Sequence, residues 1–250
     1  YSETAQAAAA PDAPVYAITT GSEVEAGTGN STTAIAQTGD AKIDGILTGV
    51  QWAPGDTLEY SFPTTNAVYS YTTALTDLPA NFIAVTAQVQ FAVRFALNTA
   101  YGGAAQEGFA VEGFTSLSIL EDTSADGDDN IRFGETTSGT VGTARVADFP
   151  GNYETTQTTD NGDVWFGTAY LGNPSSDLRN PVAGNYAWLT TLHEIGHALG
   201  LKHGHTVGAS VGGTTALPYD WDSMEFSVMT YRSYIGSPTN GYANEDWGFA

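Results

Sequence analysis

One segment carries side chains with clear chemical potential: residues 192–203 read LHEIGHALGLKH. His193 and His197 are four positions apart, so a helix would present both on one face, with Cβ atoms roughly 6 Å apart. Two imidazoles so placed can bind one Zn²⁺ at N–Zn distances of about 2.0–2.1 Å. Glu194 lies one step round the helix, where it can take a proton from a water on the metal without being a ligand.

A third ligand follows the helix. Gly200 is placed to end the helix in a left-handed turn, after which the chain can swing back and deliver His203. Three protein ligands leave a position for water, which is typical of a catalytic zinc rather than a structural one. Three of the chain's only four histidines fall in this motif, which argues against an accidental match. We interpret the fourth, His205, as a solvated loop residue.

The composition excludes several classes of function. The 250 residues include 7 Lys and Arg against 28 Asp and Glu, a formal net charge of −21, which repels nucleic-acid phosphate. The absence of cysteine excludes disulfides, thiolate metal sites and cysteine nucleophiles. No window approaches the roughly 18 apolar residues of a membrane helix, so we predict no membrane insertion.

The composition changes near residue 40. Residues 1–40 are rich in Ala, Thr, Gly and Ser and contain no Lys or Arg, which is typical of a flexible tail or a pro-segment remnant. From residue 41 to residue 250 the pattern becomes globular. We therefore predict one folded domain over 41–250.

Hydrophobic periodicity predicts an α+β domain with two long helices. Asp77 can cap a first helix, and apolar residues at steps of three and four carry it to about Thr99. A second helix from about Gly184 to Gly200 carries the histidine motif. Strands are predicted at Thr57–Phe62, Phe114–Leu120, Asn130–Phe133, Thr140–Val146 and Val164–Tyr170. The chain after Gly200 has few periodic segments, so we expect an irregular C-terminal part.

The zinc motif resembles that of the metzincin metalloproteases, H-E-x-x-H-x-x-G-x-x-H followed by a Met-turn. The stretch SVMTY at residues 227–231 is similar to the Met-turn, which implies that Met229 forms an apolar floor beneath the zinc. Tyr231 is placed as in the serralysin group, which implies that it ligates the resting zinc and then helps to hold the oxyanion. Residues 129–133, 149–152 and 177–181 also look like serralysins.

The resemblance covers about residues 40–250 and has further implications. It implies a metzincin-type catalytic domain with a twisted mixed sheet, two long helices and an irregular C-terminal subdomain. The implied activity is that of a secreted, extracellular zinc endopeptidase acting on polypeptides. Metzincin substrates lie extended along an edge strand above the zinc, and the best candidate is the stretch of Thr143, Ala144, Arg145, Val146 and Ala147.

Serralysins continue into a calcium-binding β-roll of G-G-x-G-x-D repeats, which this sequence lacks. We therefore expect a longer protein, with a C-terminal continuation or partner fragment that binds Ca²⁺. Within the chain, the acidic stretch 126–130 does not fit an EF-hand, because its sixth position is Ile131 and its twelfth is Thr137. We interpret it as an acidic turn.

Two alternatives remain open. The chain could be a zinc-binding module that has lost activity, although a ligand-only role does not need the carboxylate of Glu194. It could also be a β-rich extracellular adhesion or glycan-binding module in which the motif is accidental. Metal analysis separates the second alternative, because the protease requires about one zinc per chain.

Overall fold

The computed structural model describes residues 32–53, 57–71, 75–99, 110–124, 129–141, 144–146, 162–174, 176–207 and 215–237. Its strands are β1 Thr32–Ala34, β2 Val50–Trp52, β3 Thr57–Ser61, β4 Phe82–Ala84, β5 Ser118–Glu121, β6 Ile131–Thr136, β7 Ala144–Val146 and β8 Val164–Gly167. Its helices are α1 Ala41–Asp44, α2 Asp77–Ala80, α3 Ala87–Leu97, α4 Val111–Phe114 and α5 Tyr186–Ala198, with 3₁₀ turns at Asn66–Val68 and Tyr219–Trp221.

The main sheet has the strand order β5-β3-β6-β8-β7, and β4 pairs with part of β6. Strands β5, β3, β6 and β8 run parallel, whereas β7 and β4 pair antiparallel with their neighbours. All six residues of β6 are buried, as expected for a central strand covered on both faces. The α+β class and the mixed sheet are therefore confirmed.

The core lies between this sheet and the two long helices. Helix α3 contributes Val89, Val93 and Leu97, and α5 contributes Leu189 and Ile195. The two helices also pack against each other. The polar side chains of α5, among them His193, Glu194 and His197, are buried as well.

The prediction of one helix from Asp77 to Thr99 is wrong. The segment contains α2, then strand β4, then α3. Strand β4 pairs with residues 134–136 of β6, and the side chain of Thr86 accepts a hydrogen bond from the Val89 amide to start α3 anew. Apolar spacing in this stretch fits a helix throughout, but pairing with β6 satisfies the backbone of residues 82–84 instead.

Other predicted elements differ mainly at their ends. The strand predicted from Phe114 begins only at Ser118, because residues 111–114 form α4. The strand predicted from Asn130 to Phe133 continues to Thr136. Helix α5 begins two residues after the predicted Gly184. The irregular C-terminal part is observed: among the described residues after α5, the regular element is the short 3₁₀ turn at 219–221.

A buried ion pair ties β6 to the residue before β8. The Arg132 guanidinium donates from Nε and Nη2 to the two carboxylate oxygens of Asp163, both at 2.8 Å. The Tyr71 hydroxyl donates to the same carboxylate at 2.6 Å. Both charges are almost fully buried, so the pair needs these hydrogen bonds to offset the cost of desolvation.

Part of the predicted tail contacts the domain. Strand β1 pairs antiparallel with β2, and the buried Asp44 carboxylate accepts hydrogen bonds from the amides of Thr38 and Gly39. These contacts lower the pKa of Asp44. Residues 1–31 lie outside the described residues, so the boundary at residue 40 stays a prediction. None of the described helices is long and apolar enough to cross a membrane.

Candidate metal centre

Helix α5 is fixed at its start by a cap and by the segment before it. The Asn185 side chain accepts a hydrogen bond from the Trp188 amide at 2.8 Å, which satisfies one of the unpaired amides of the first turn. Asn185 also donates from Nδ2 to the Asn180 carbonyl at 3.0 Å. The helix therefore begins at a defined residue, and this fixes the positions of His193 and His197 around the helix axis.

The segment that leads into α5 is held by α3 and β6. Thr86 Oγ1 donates to the Arg179 carbonyl at 2.6 Å, and Gln88 Nε2 donates to the Pro181 carbonyl at 3.0 Å. Arg179 Nε lies 3.2 Å from the carboxylate of Glu135, which is 1% exposed. Burial raises the pKa of Glu135, and the Arg179 charge opposes that rise. This segment thus docks α5 onto the sheet.

Three histidines converge at the far end of α5. The Nε2 atoms of His193 and His197 each lie 3.0 Å from Nε2 of His203. All three side chains are buried, and in the part of the chain that the structure describes they form the one group of residues that could hold a metal ion. The predicted ligand set is therefore brought together at one point.

The outer ring nitrogens orient two of these imidazoles. Nδ1 of His193 lies 2.7 Å from the Val228 carbonyl, and Nδ1 of His197 lies 2.7 Å from the Leu201 carbonyl. Because a carbonyl only accepts, each Nδ1 must carry the proton, which leaves Nε2 with a lone pair. Carbonyl partners of this kind orient metal-ligating histidines.

Burial keeps the three imidazoles neutral. It lowers the pKa of His193 to about 4. Burial, followed by the neighbouring imidazoles, also holds the pKa values of His197 and His203 well below their usual value. Neutral imidazole is the form that binds a metal.

The donor set fits a tetrahedral zinc ion. Ligands around one zinc at about 2.0–2.1 Å place their nitrogens roughly 3.3–3.4 Å apart, and the observed separations are 3.0 Å. The Nε2 lone pairs of His193 and His197 both face Nε2 of His203, and a cation between the three nitrogens would satisfy them. Three imidazoles without thiolate or a carboxylate cage also match zinc better than calcium or magnesium.

Two further predicted residues are buried beside the histidines in the chain or in space. Glu194 follows His193 on α5 and is only 1% exposed. The Tyr231 hydroxyl lies 2.8 Å from Nε2 of His203, and its ring is stacked on that of His193. The structure thus places the phenol hydroxyl of Tyr231 against the three histidines and buries the carboxylate that follows His193 in the chain.

Met229 packs against the helix that carries the histidines. It is fully buried, and a Cβ added at Gly196 would lie 2.5 Å from its sulfur. Because the Met229 side chain approaches α5 so closely, only a residue without a Cβ atom fits at position 196 without a shift of the methionine. The neighbouring Val228 carbonyl binds His193, and the Met229 carbonyl accepts from the Gly204 amide, so the turn is tied to both parts of the centre.

His205 is not as solvated as predicted. It is partly buried, and its ring lies parallel to that of His203 with centroids 5.7 Å apart. It also packs on Tyr231, with centroids 5.1 Å apart. His205 is not in the metal-binding group of three, so it lines the centre without joining the ligand set.

The predicted substrate strand is described in part. Thr143 and Ala147 lie outside the described residues, while Ala144, Arg145 and Val146 form β7. This strand is at the end of the strand order, paired antiparallel with β8 on one side, and it packs near α5. Of the predicted acidic turn, residues 126–128 also lie outside the described part of the chain.

Sequence reasoning missed the backbone and side-chain groups that hold the three histidines in place. The carbonyls of Val228 and Leu201 carry no sequence signal, because every residue has one. Lys202 was a signal that could have been used, because it is one of only two lysines in the chain and directly precedes His203. In the structure its side chain is 1% exposed.

The chain is similar to several curated metallopeptidases. It is 34% identical to Serralysin C from Dickeya chrysanthemi over 105 residues, which are 40% of this chain and 20% of that protein. It is 40% identical to Serralysin from Proteus mirabilis over 74 residues, 28% of this chain and 14% of the relative. It is 33% identical to Metallopeptidase AprA from Pseudomonas marginalis over 142 residues, 54% of this chain and 28% of the relative.

The matched stretches thus span less than a third of the length of these relatives. No family model matches the chain. The similarity and the histidine cluster agree with the resemblance read from the motifs, so the chain is serralysin-like. One of these relatives is named a metallopeptidase.

Proposed function

We propose that this serralysin-like chain is the catalytic part of a zinc endopeptidase, with the catalytic domain in residues 41–250. The observation that carries the proposal is the convergence of His193 and His197 on His203, with both Nε2–Nε2 distances at 3.0 Å. The buried Glu194 follows His193 in the chain, and the hydroxyl of Tyr231 lies 2.8 Å from Nε2 of His203. A structural zinc site closed by four protein ligands needs neither of these two additional groups.

The three imidazoles would hold the zinc through Nε2. The protonated Nδ1 atoms of His193 and His197 donate to backbone carbonyls, so both rings keep their direction before metal binds. When bound, the zinc would supply a Lewis acid that polarises the scissile carbonyl and makes a nearby water more acidic.

Glu194 is assigned the proton transfers. Its carboxylate takes the proton of the water that attacks the peptide carbonyl, and then gives that proton to the leaving amine. Burying a carboxylate at 1% exposure is costly. A module that only binds metal gains nothing from that cost, which favours the enzyme over the inactive alternative.

Tyr231 is assigned two states in the same proposal. Its hydroxyl lies 2.8 Å from a ligating nitrogen, which suits a fourth ligand when no substrate is present. With substrate bound, the same hydroxyl can donate to the oxygen that becomes negative during attack. Met229 serves as the apolar floor beneath the histidines.

Substrates are proposed to be polypeptides that add to the edge of β7 that pairs with no other strand among the described residues. Pairing of this kind uses backbone groups and tolerates varied side chains. The resemblance to serralysins also supports secretion to an extracellular place of action, and a calcium-binding part beyond this chain. The high net negative charge disfavours nucleic acid as a partner.

The experiment is casein hydrolysis by the chain, with zinc content measured in parallel. We expect about one zinc per chain, loss of activity with 1,10-phenanthroline, and recovery when zinc is restored. Glu194→Gln should keep zinc and lose about 10²–10⁴-fold in kcat. Glu225→Gln, an exposed residue near the Met-turn, is the matched control and should behave as the parent. Near-parental turnover by Glu194→Gln would overturn the mechanism.

A further inference from the structure

His203 differs from the other two histidines in how it is placed. Helix α5 ends at Ala198, and Gly200 then takes a positive φ of 100°, a conformation that favours glycine. His203 therefore lies on non-helical chain. Its position relative to His193 and His197 depends on whatever fixes residues 200–202.

Residues 45–52, which are about 150 positions earlier in the chain, form hydrogen bonds to this turn, and we call this segment the bracket. The amide and hydroxyl of Thr48 both donate to the Gly200 carbonyl, at 3.0 and 2.8 Å. The Lys202 amide donates to the Ile46 carbonyl at 2.7 Å. Trp52 Nε1 donates to the Ala198 carbonyl at 3.0 Å. These bonds span the helix end and the turn up to the residue before His203.

Lys202 adds an ammonium anchor to the bracket. Its Nζ donates to the carbonyls of Gly45, Thr206 and Thr215, the last two at 2.9 Å. These carbonyls belong to three separate segments, and they use all three donors of the ammonium. The side chain is 1% exposed. A buried charge is tolerated only when it is hydrogen-bonded in this way.

The anchor and the ligand are neighbours with different partners. The Lys202 side chain meets residues 45, 206 and 215, whereas the His203 side chain meets the other two histidines and Tyr231. Because one peptide bond joins Lys202 to His203, a displacement of the Lys202 side chain would also displace His203. Thr206 Oγ1 also donates to the His203 carbonyl at 2.7 Å, so the chain is held on both sides of the ligand.

We propose that residues 45–52 and the buried ammonium of Lys202 form a positioning device for His203, so that this N-terminal segment sets the metal affinity of the centre. The proposal rests on the proposed zinc site. Lys202 is a positioning residue and touches neither metal nor substrate. A purely structural lysine would instead be replaceable by an apolar residue of similar length with unchanged metal binding.

The test compares the chain's two lysines. Lys202→Met removes the ammonium and keeps the length of the side chain, and Lys42→Met, at an exposed position of α1, is the matched control. Zinc affinity is measured by competition with a chelator, and the absorption spectrum of the Co²⁺-substituted protein reports coordination geometry. We expect Lys202→Met to bind zinc about 10- to 100-fold more weakly, the range for partners that orient ligands, with an altered Co²⁺ spectrum. Lys42→Met should match the parent.

Chemical rescue of a Lys202 variant can distinguish the effect of the ammonium charge from the effect of side-chain volume. The chain has no cysteine, so Lys202→Cys can be alkylated at one site in denaturant and refolded. The aminoethyl adduct restores the ammonium and should regain zinc affinity, whereas the propyl adduct of similar shape should not. Thr48→Val is a milder second variant, should Lys202→Met fail to fold. It removes one hydroxyl from the bracket and should weaken zinc binding by a few-fold.

The outcomes distinguish the two proposals. If the parent binds zinc and Lys202→Met, or Thr48→Val in its place, binds it equally well with an unchanged Co²⁺ spectrum, the positioning role is wrong and the zinc site stands. Equal affinity of the aminoethyl and propyl adducts would also overturn the positioning role. A parent chain that binds no zinc would overturn the proposed function and this inference together.

Discussion

Helix α5 and the irregular chain after it build the same centre in different ways. His193 and His197 owe their relative position to helical spacing, which is set within a single turn. His203 and Tyr231 are 28 residues apart, yet the Tyr231 hydroxyl lies 2.8 Å from the His203 ring. Their positions come from contacts with distant segments, such as residues 45–52 and the buried Met229.

The difference indicates which part of the centre is held by one helix and which part depends on contacts between several segments. A helical pair keeps its geometry as long as the helix forms, and α5 is capped and packed in the core. The later ligand keeps its geometry only while several segments stay docked. We call α5 the first region and the irregular chain after it the second region. We expect substitutions in the second region to change metal binding and activity, and to lower the free energy of unfolding less than substitutions in α5.

The largest effect is expected for His203→Ala. Removing a ligand should weaken zinc binding by more than about 100-fold, since loss of an orienting partner alone costs 10- to 100-fold. Caseinolytic activity should disappear with the zinc. Chelator competition and zinc content after dialysis measure this. His205→Ala, two residues further on, is the matched control and should retain one zinc. If His203→Ala also retained one zinc with parental affinity, His203 would not be a ligand.

Tyr231→Phe should give a smaller effect that leaves metal bound. The ring is kept, and three histidines remain for the zinc. Loss of one donor to the oxyanion should lower kcat roughly 10- to 100-fold, below the usual range because the metal is a second stabiliser. KM should change little, because the hydroxyl acts mainly in the transition state.

Peptide hydrolysis at one pH measures the effect of this change. Tyr234→Phe, an exposed tyrosine three residues further on, should match the parent. Equal kcat/KM for Tyr231→Phe and the parent would reject the oxyanion role and leave Tyr231 with packing alone.

Gly196→Ala tests the contact that joins the two regions. The new methyl group would meet the Met229 sulfur, and overpacking of a buried site costs about 1–3 kcal/mol. Alanine also favours the helix by up to about 1 kcal/mol, so the net loss in the free energy of unfolding should be at the low end. Urea denaturation checks it.

Two variants make this test specific. Gly139→Ala adds a methyl group that meets nothing within 4 Å, so it should not destabilise the fold. The double variant Gly196→Ala with Met229→Ala should show coupling, because the clash disappears with the methionine. Additive effects would mean that the two residues do not constrain each other.

The sequence allowed the helical region to be predicted well. The spacing of the histidines and the apolar residues that follow Asn185 are local signals, and α5 appears within two residues of its predicted start. The same signals failed at residues 77–99, where β4 interrupts the expected helix. Phe82 and Val85 have helical spacing, but residues 82–84 pair with the neighbouring strand β6, and no local pattern contains that pairing.

The second region was predicted by motif rather than by physics. The resemblance named Met229 and Tyr231, but it gave no account of what holds His203. Thr48 meets Gly200 across 152 residues, and Lys202 meets Gly45 across 157. Contacts of such separation depend on the finished fold, so single-sequence reasoning had no means of finding them.

The central claim is that imidazoles from both regions share one metal ion. X-ray absorption spectroscopy of the zinc-loaded chain tests it directly, because it counts histidine ligands and measures their distances. We expect three imidazole nitrogens at about 2.0–2.1 Å in the parent chain, and a lower imidazole count in His203→Ala at zinc concentrations high enough to load it. A parent spectrum with two imidazoles, or one unchanged by His203→Ala, would contradict it.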